Sequence, residues 1–125
     1  MSNLRGNVHD LITDQGSTVH QVFTLKNSAR TIIPLTGYTA RMQLREWDVS
    51  TRDPALIVVA EYTTENGYLS VNGAAGTVTL LIPPADMAAL EPKSYVYDVE
   101  VETENNGDTT RIIQGKFIVR AEVTR

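Results

Sequence analysis

Apolar and polar residues alternate along this chain with period two, in short bursts separated by Gly, Asn, Asp and Pro. Between Gly37 and Arg45, the residues Tyr38, Ala40, Met42 and Leu44 collect on one face, and Thr39, Arg41, Gln43 and Arg45 on the other. A strand with one side on a core and the other in water requires this alternation. The pattern returns after Ser94: Tyr95, Tyr97, Val99 and Val101 face one way, while Asp98, Glu100 and Glu102 face the other. Strands are also predicted over Val19 to Lys26, with Val19, Phe23 and Leu25 inward, and over Gly76 to Ile82, with Val78, Leu80 and Ile82 inward. In Arg111 to Val123, the residues Phe117, Val119, Ala121 and Val123 alternate with Lys116, Arg120 and Glu122. Val8 to Ile12 and Gly67 to Val71 make shorter candidates. Ala55 to Tyr62 is apolar on both faces, which predicts a central strand or one buried under a neighbour.

Turn signals punctuate these runs. Asp14-Gln15-Gly16, Glu65-Asn66-Gly67, Asn72-Gly73 and Asn105-Asn106-Gly107-Asp108 supply residues that tolerate positive φ. The last of these predicts a hairpin joining the Tyr95 strand to the Arg111 strand. Gly115, inside a strand, predicts a bulge or a close backbone approach. One short helix is expected near residues 84–90: proline opens it, Met87 and Leu90 share a face, and Pro92 stops it. About seven or eight mostly antiparallel strands with one small helical plug predict an all-β, immunoglobulin-like sandwich. The paired cysteines of immunoglobulins are absent, so the expectation concerns architecture alone. Tyr38, Met42, Leu44, Val78, Leu80, Tyr97, Val99, Phe117 and Val119 are the predicted core.

The length of 125 residues fits one domain spanning residues 1–125, with residues 1–6 as a candidate flexible arm. The longest apolar run, Ala55 to Ala60, is far shorter than the roughly 20 residues of a membrane-spanning helix. Met1 to Gly6 lacks the apolar core of a signal peptide, so secretion by that route and membrane insertion are not expected. The absence of cysteine removes disulfides, thiolate metal sites and cysteine nucleophiles. With a net charge of -4 and no basic cluster, the chain is not expected to bind nucleic acid.

Candidate chemistry is sparse. His9 and His20 fall on separate early strands and, with Asp10, suggest a metal site. Surface strand histidines are the plainer reading, because three well-placed ligands are normally needed. Asp98, Glu100 and Glu102 are spaced like an acid/base or cation-binding row. An outward strand face neutralised by Arg111 or Lys116 would look the same. No nucleophile turn, phosphate loop or dinucleotide fingerprint is present. No cofactor and no enzymatic activity are expected. The single tryptophan, Trp47, precedes the polar stretch Asp48 to Pro54 and reads either as an interface anchor or as a core-edge residue. Tyr62 and Tyr68 flank a turn and could join a contact patch.

Four stretches in order resemble the small immunoglobulin-like structural proteins of tailed bacteriophage virions. They are Leu35 to Arg45, Gly76 to Leu80, Tyr95 to Glu100, and Glu122 to Arg125. The layout is similar to the N-terminal domain of upper baseplate proteins, and the resemblance covers nearly the whole chain. It implies a virion component, made in the host cytoplasm, that docks onto other virion proteins in several symmetric copies. A tail or baseplate connector or fibre-attachment module is the expected role, with Trp47, Asp48, Val49, Arg52, Asp53, Pro54 and Arg125 as the candidate interface. A capsid decoration or neck protein is the alternative within the particle. A carbohydrate-binding module for host glycans is the alternative of another class, limited by the 8 aromatic residues available.

Overall fold

The computed structural model describes residues 7–26, 29–103 and 107–121. Among these, the strands are β1 (Asn7–Val8), β2 (Leu11–Asp14), β3 (Val19–Thr24), β4 (Tyr38–Asp48), β5 (Asp53–Thr63), β6 (Leu69–Asn72), β7 (Thr77–Ile82), β8 (Ser94–Thr103) and β9 (Thr109–Arg120). One helix, α1 (Pro84–Ala88), lies between β7 and β8. The larger sheet runs β1-β9-β8-β4-β5, with β2 also paired to β9, and the smaller runs β3-β7-β6. Neighbours are antiparallel except for β1 and β2, which lie parallel to β9. The two sheets make an immunoglobulin-like β-sandwich, as the alternation predicts. The expected arm at residues 1–6 and the chain end at Arg125 lie outside the described residues.

The core follows from the period-two pattern. Ala40, Met42 and Leu44 of β4 and Tyr95, Tyr97, Val99 and Val101 of β8 are buried against Val19, Phe23, Val78, Leu80 and Ile82 of the other sheet. Every predicted core residue is buried except Tyr38, which is half-buried and packs on the cluster. Each large apolar side chain sequestered this way contributes about 1.5–3 kcal/mol. Met87 from α1 and Leu35 from the β3–β4 connection are sealed off from water and close the gaps left between the sheets. Tyr95 donates its hydroxyl hydrogen to the carbonyl of Glu91 at 2.8 Å, two residues before the buried Tyr97. A tyrosine bonded to backbone a few residues upstream is the corner found at this point of immunoglobulin-like sandwiches. Here it stands without the cysteine that usually follows.

Two local irregularities have clear causes. Ile112 and Ile113 are both buried because the β8–β9 register shifts between Val99 and Glu100, leaving Ile112 as the extra residue of a bulge. Gly115 is a close approach: an added Cβ would sit 2.3 Å from the His9 carbonyl oxygen. That carbonyl interrupts the N-terminal strand between β1 and β2, and it accepts the Tyr97 hydroxyl hydrogen at 2.6 Å. One residue on, the Asp10 carboxylate accepts the Lys116 N–H at 2.9 Å.

The expectation for Ala55 to Tyr62 is corrected. This strand is not central; it lies within β5, at the edge of the larger sheet, and only its end is covered, where Tyr62 joins the core. Apolar residues on both faces suggested burial, but no strand or helix among those described covers its first half.

Candidate docking surface

The consecutive strands β4 and β5, 11 residues each, form a hairpin whose far end reaches beyond the core. Trp47 pairs with Pro54, and Asp48 with Asp53. The turn between them is held locally: the Ser50 N–H donates to the Asp48 carboxylate at 2.9 Å, and the Arg52 N–H to the Asp48 carbonyl at 2.8 Å. Arg52 takes a left-handed backbone with φ of 59°, a conformation unfavourable for a side chain with a Cβ. The polar loop expected over residues 48–54 is therefore a tight turn of a long hairpin.

Below the turn the ladder breaks. Leu44 faces Ala60, Arg45 faces Val58, and Trp47 faces Pro54. Between the last two pairs only Glu46 stands on β4, against Ala55, Leu56 and Ile57 on β5. The extra residues cannot pair, so the strand bulges outward. Arg45 fills the gap: its Nη1 donates to the carbonyls of Ala55 and Leu56 at 3.0 and 2.9 Å, and its Nη2 to Gln43 Oε1 at 2.9 Å. Two of the carbonyls freed by the bulge are thus satisfied by a charge-assisted donor.

The bulge exposes apolar surface. Leu56 is 91% and Ile57 80% exposed, and at the hairpin end Val49 is 80% and Trp47 49% exposed. The tryptophan left open by the sequence is a half-exposed surface residue. Of the candidate interface, Trp47, Asp48, Val49, Arg52, Asp53 and Pro54 come together on this hairpin, whereas Arg125 lies outside the described residues. Leu56 and Ile57, the most prominent side chains of the patch, were not among the candidates. Their signal was the same apolar run that suggested a buried strand.

The structure also places the other chemical candidates. His20 is an exposed residue of β3, while His9 bonds along β9 in the other sheet and stacks edge-on with Phe23 at 6.3 Å. Among the described residues no three His, Asp or Glu side chains gather as a metal site would require. The acidic row on β8 is cross-linked from both sides: Arg111 meets Asp98 at 3.1 Å, and Arg41 meets Glu100 at 2.9 Å. Burial, reinforced by the Glu100 charge, nonetheless pushes the Asp98 carboxyl above its ordinary range, against the pull of Arg111.

A cleft of about 420 Å³ opens on the inner side of β5, bounded by α1 and the start of β8. Tyr62, Tyr68 and Tyr95 line it, and Glu46, Asp86 and Glu91 stand around them; the Glu61 carboxylate, bonded by the Gln43 amide at 2.7 Å, lies on the other face of the sheet. Tyr62 and Tyr68 meet edge to face at 5.2 Å. The Tyr68 hydroxyl donates to Asp86 Oδ2 at 2.5 Å. Lys93 bridges Glu46 and Glu91 at 3.4 and 3.3 Å. No described helix is long and apolar enough to cross a membrane. Comparison with protein-family models and with curated proteins finds no match for this chain.

Proposed function

We propose that this chain is a non-enzymatic structural protein of a tailed-phage virion, a tail or baseplate connector or fibre-attachment module that works by protein–protein docking. The observation that carries docking is the bulged hairpin, which holds Leu56 and Ile57 out in solvent on the same hairpin as the exposed Trp47 and Val49. Contiguous exposed apolar side chains on an ordered scaffold mark an interaction site far more often than scattered ones do. The order of the four sequence motifs supports the virion assignment. Bulge and proline also bear on the mode of docking. Pro54 lacks an N–H and the bulge bends the edge, so strand addition along the first half of β5 is disfavoured. Leu56 and Ile57 therefore act as a knob for an apolar recess on the partner. A mildly acidic, cysteine-free domain suits assembly from a reducing cytoplasm, and many copies can hold firmly through individually weak contacts.

The test is the position of the chain in purified particles, read from a cryo-EM map, together with particles carrying Leu56→Asp and Ile57→Asp. Density at the tail tip, baseplate or fibre base, lost from the double variant, is the expected result. Density on the shell or neck replaces the proposed station with the head. Absence from intact particles overturns the virion reading.

A further inference from the structure

The chain contains three Asn-Gly pairs, at Asn66-Gly67, Asn72-Gly73 and Asn106-Gly107. An asparagine before glycine is open to a reaction that needs no enzyme. The glycine nitrogen, unscreened by any side chain, attacks the asparagine side-chain carbonyl. Whether this happens in a folded chain depends on what holds the reacting groups.

The pairs are held differently. At Asn66 the side-chain amide is braced at both ends. Its Oδ1 accepts the N–H of Thr63 at 2.8 Å and of Tyr68 at 3.2 Å, and its Nδ2 donates to the Glu61 carbonyl at 3.0 Å. Turning that amide toward the Gly67 nitrogen breaks three bonds. Asn106 lies outside the described residues, and the Gly107 N–H donates to the Thr103 carbonyl at 3.1 Å. Asn72 is exposed at the end of β6, and its Oδ1 accepts one bond, from the Ala75 N–H at 3.1 Å. Among the described residues, neither its Nδ2 nor the Gly73 N–H has a hydrogen-bond partner. Attacking nitrogen and departing amide are both free. The bond that Asn72 does make favours the reaction, because an N–H aimed at Oδ1 stabilises the negative charge that grows there as the nitrogen adds.

We propose that Asn72 is a site of spontaneous deamidation whose product loosens the junction beneath it. The Gly73 nitrogen gives its proton to solvent base and bonds to Cγ of Asn72. The Cγ–Nδ2 bond breaks, and ammonia leaves. Water then opens the succinimide ring at either carbonyl, giving aspartate or isoaspartate. Isoaspartate routes the main chain through the former side-chain methylene and so lengthens the backbone by one carbon. Gly73 has no room to absorb that change: an added Cβ there would sit 2.6 Å from the Thr36 Cα. Its carbonyl accepts the N–H of Leu35 at 2.9 Å and of Gly76 at 3.3 Å, and the Gly76 carbonyl accepts the Leu25 N–H at 2.8 Å. Leu35 is sealed in the core. The longer turn therefore pulls at the β3–β4 connection and at the seat of Leu35. This inference is independent of the docking reading.

The test ages the full chain at mildly alkaline pH and follows each Asn-Gly pair by peptide-mapping mass spectrometry, with isoaspartyl methyltransferase labelling to identify isoaspartate. Asn72 is expected to convert at least about fivefold faster than Asn66, since two fewer hydrogen bonds must break. In urea, where both lose their local bonds, the difference should vanish. Aged protein should unfold at a lower midpoint and exchange the Leu35 amide faster, whereas Asn72→Ser aged alongside should show neither change. Asn72→Asp carries the carboxylate without the extra carbon and should keep the parent's midpoint. Equal native rates at the two asparagines, or a faster rate at Asn66, would overturn the site. Conversion at Asn72 with an unchanged midpoint and unchanged Leu35 exchange would overturn its structural consequence.

Discussion

Arg45 holds Leu56 outward: its Nη1 donates to the Leu56 carbonyl at 2.9 Å while the leucine side chain points into solvent, 91% exposed. A surface bulge normally relies on water to satisfy its freed carbonyls, and such a segment opens readily. Here a guanidinium anchored on Gln43 replaces that water, which makes the apolar knob a defined shape.

Removing the clamp should loosen the bulge without unfolding the sandwich. Arg45→Ala is expected to cost about 1 kcal/mol in a urea titration, since the lost bonds are only partly shielded from water. Amide exchange at residues 55–58 should accelerate well beyond that of β8. Unchanged exchange there would show that the bulge is held by something other than Arg45.

Leu56→Asp should behave oppositely. The side chain makes no buried contact, so unfolding stability should stay within about 0.5 kcal/mol of the parent. A large loss of stability would mean that this segment packs against something in the isolated protein.

Gly115 should tolerate no side chain. In Gly115→Ala the new methyl meets the His9 carbonyl oxygen at 2.3 Å, and that oxygen is already fixed by the Tyr97 hydroxyl. The N-terminal strand must lift from β9, at an expected cost of about 1–3 kcal/mol. Hydrogen exchange should locate the damage at Leu11–Asp14, the strand paired beside it.

Asp98 gives a pH dependence whose sign is fixed by its raised pKa. The folded state holds the proton more tightly than the unfolded chain, where the ordinary value is 3.8. Its contribution to stability is complete below that pH and fades as pH rises through the folded value. Asp98→Asn removes the loss, so its stability relative to the parent should grow between acid and neutral pH. Urea midpoints for both proteins at acid and neutral pH measure this difference, and a constant gap would contradict it.

Tyr62 acts in the alkaline range. Burial, aided by the Asp86 charge, pushes its phenol from 10.0 to about 12. The stability tied to the neutral phenol is present below pH 10 and lost as pH rises through about 12. Tyr97, also held up by burial, adds to the same alkaline loss. Tyr62→Phe should flatten the fall, and ultraviolet phenolate titration should show one late-ionising group fewer.

Much of this architecture is legible in the chain because alternation is a local property. Tyr95, Tyr97, Val99 and Val101 announce both their strand and its inward face, and all four are buried. Gly115 announces a close approach, because a glycine inside a strand is otherwise unfavourable. Proline spacing likewise marks α1 to within two residues of its observed end. What the pattern could not decide was sheet order. Ala55 to Ala60 is apolar on both faces whether it lies at the centre of a sheet or at its edge. Which applies depends on pairings with β4 alone, and on the absence of a described neighbour beyond it. The cleft is likewise invisible in sequence: Glu46, Tyr62, Asp86 and Tyr95 come from separate elements and meet only once the sandwich closes. The sequence by itself determined the strands and their buried faces, through contacts dictated every second residue. Tertiary structure decided which apolar run stays in water and which polar groups share a cavity, because both depend on long-range packing.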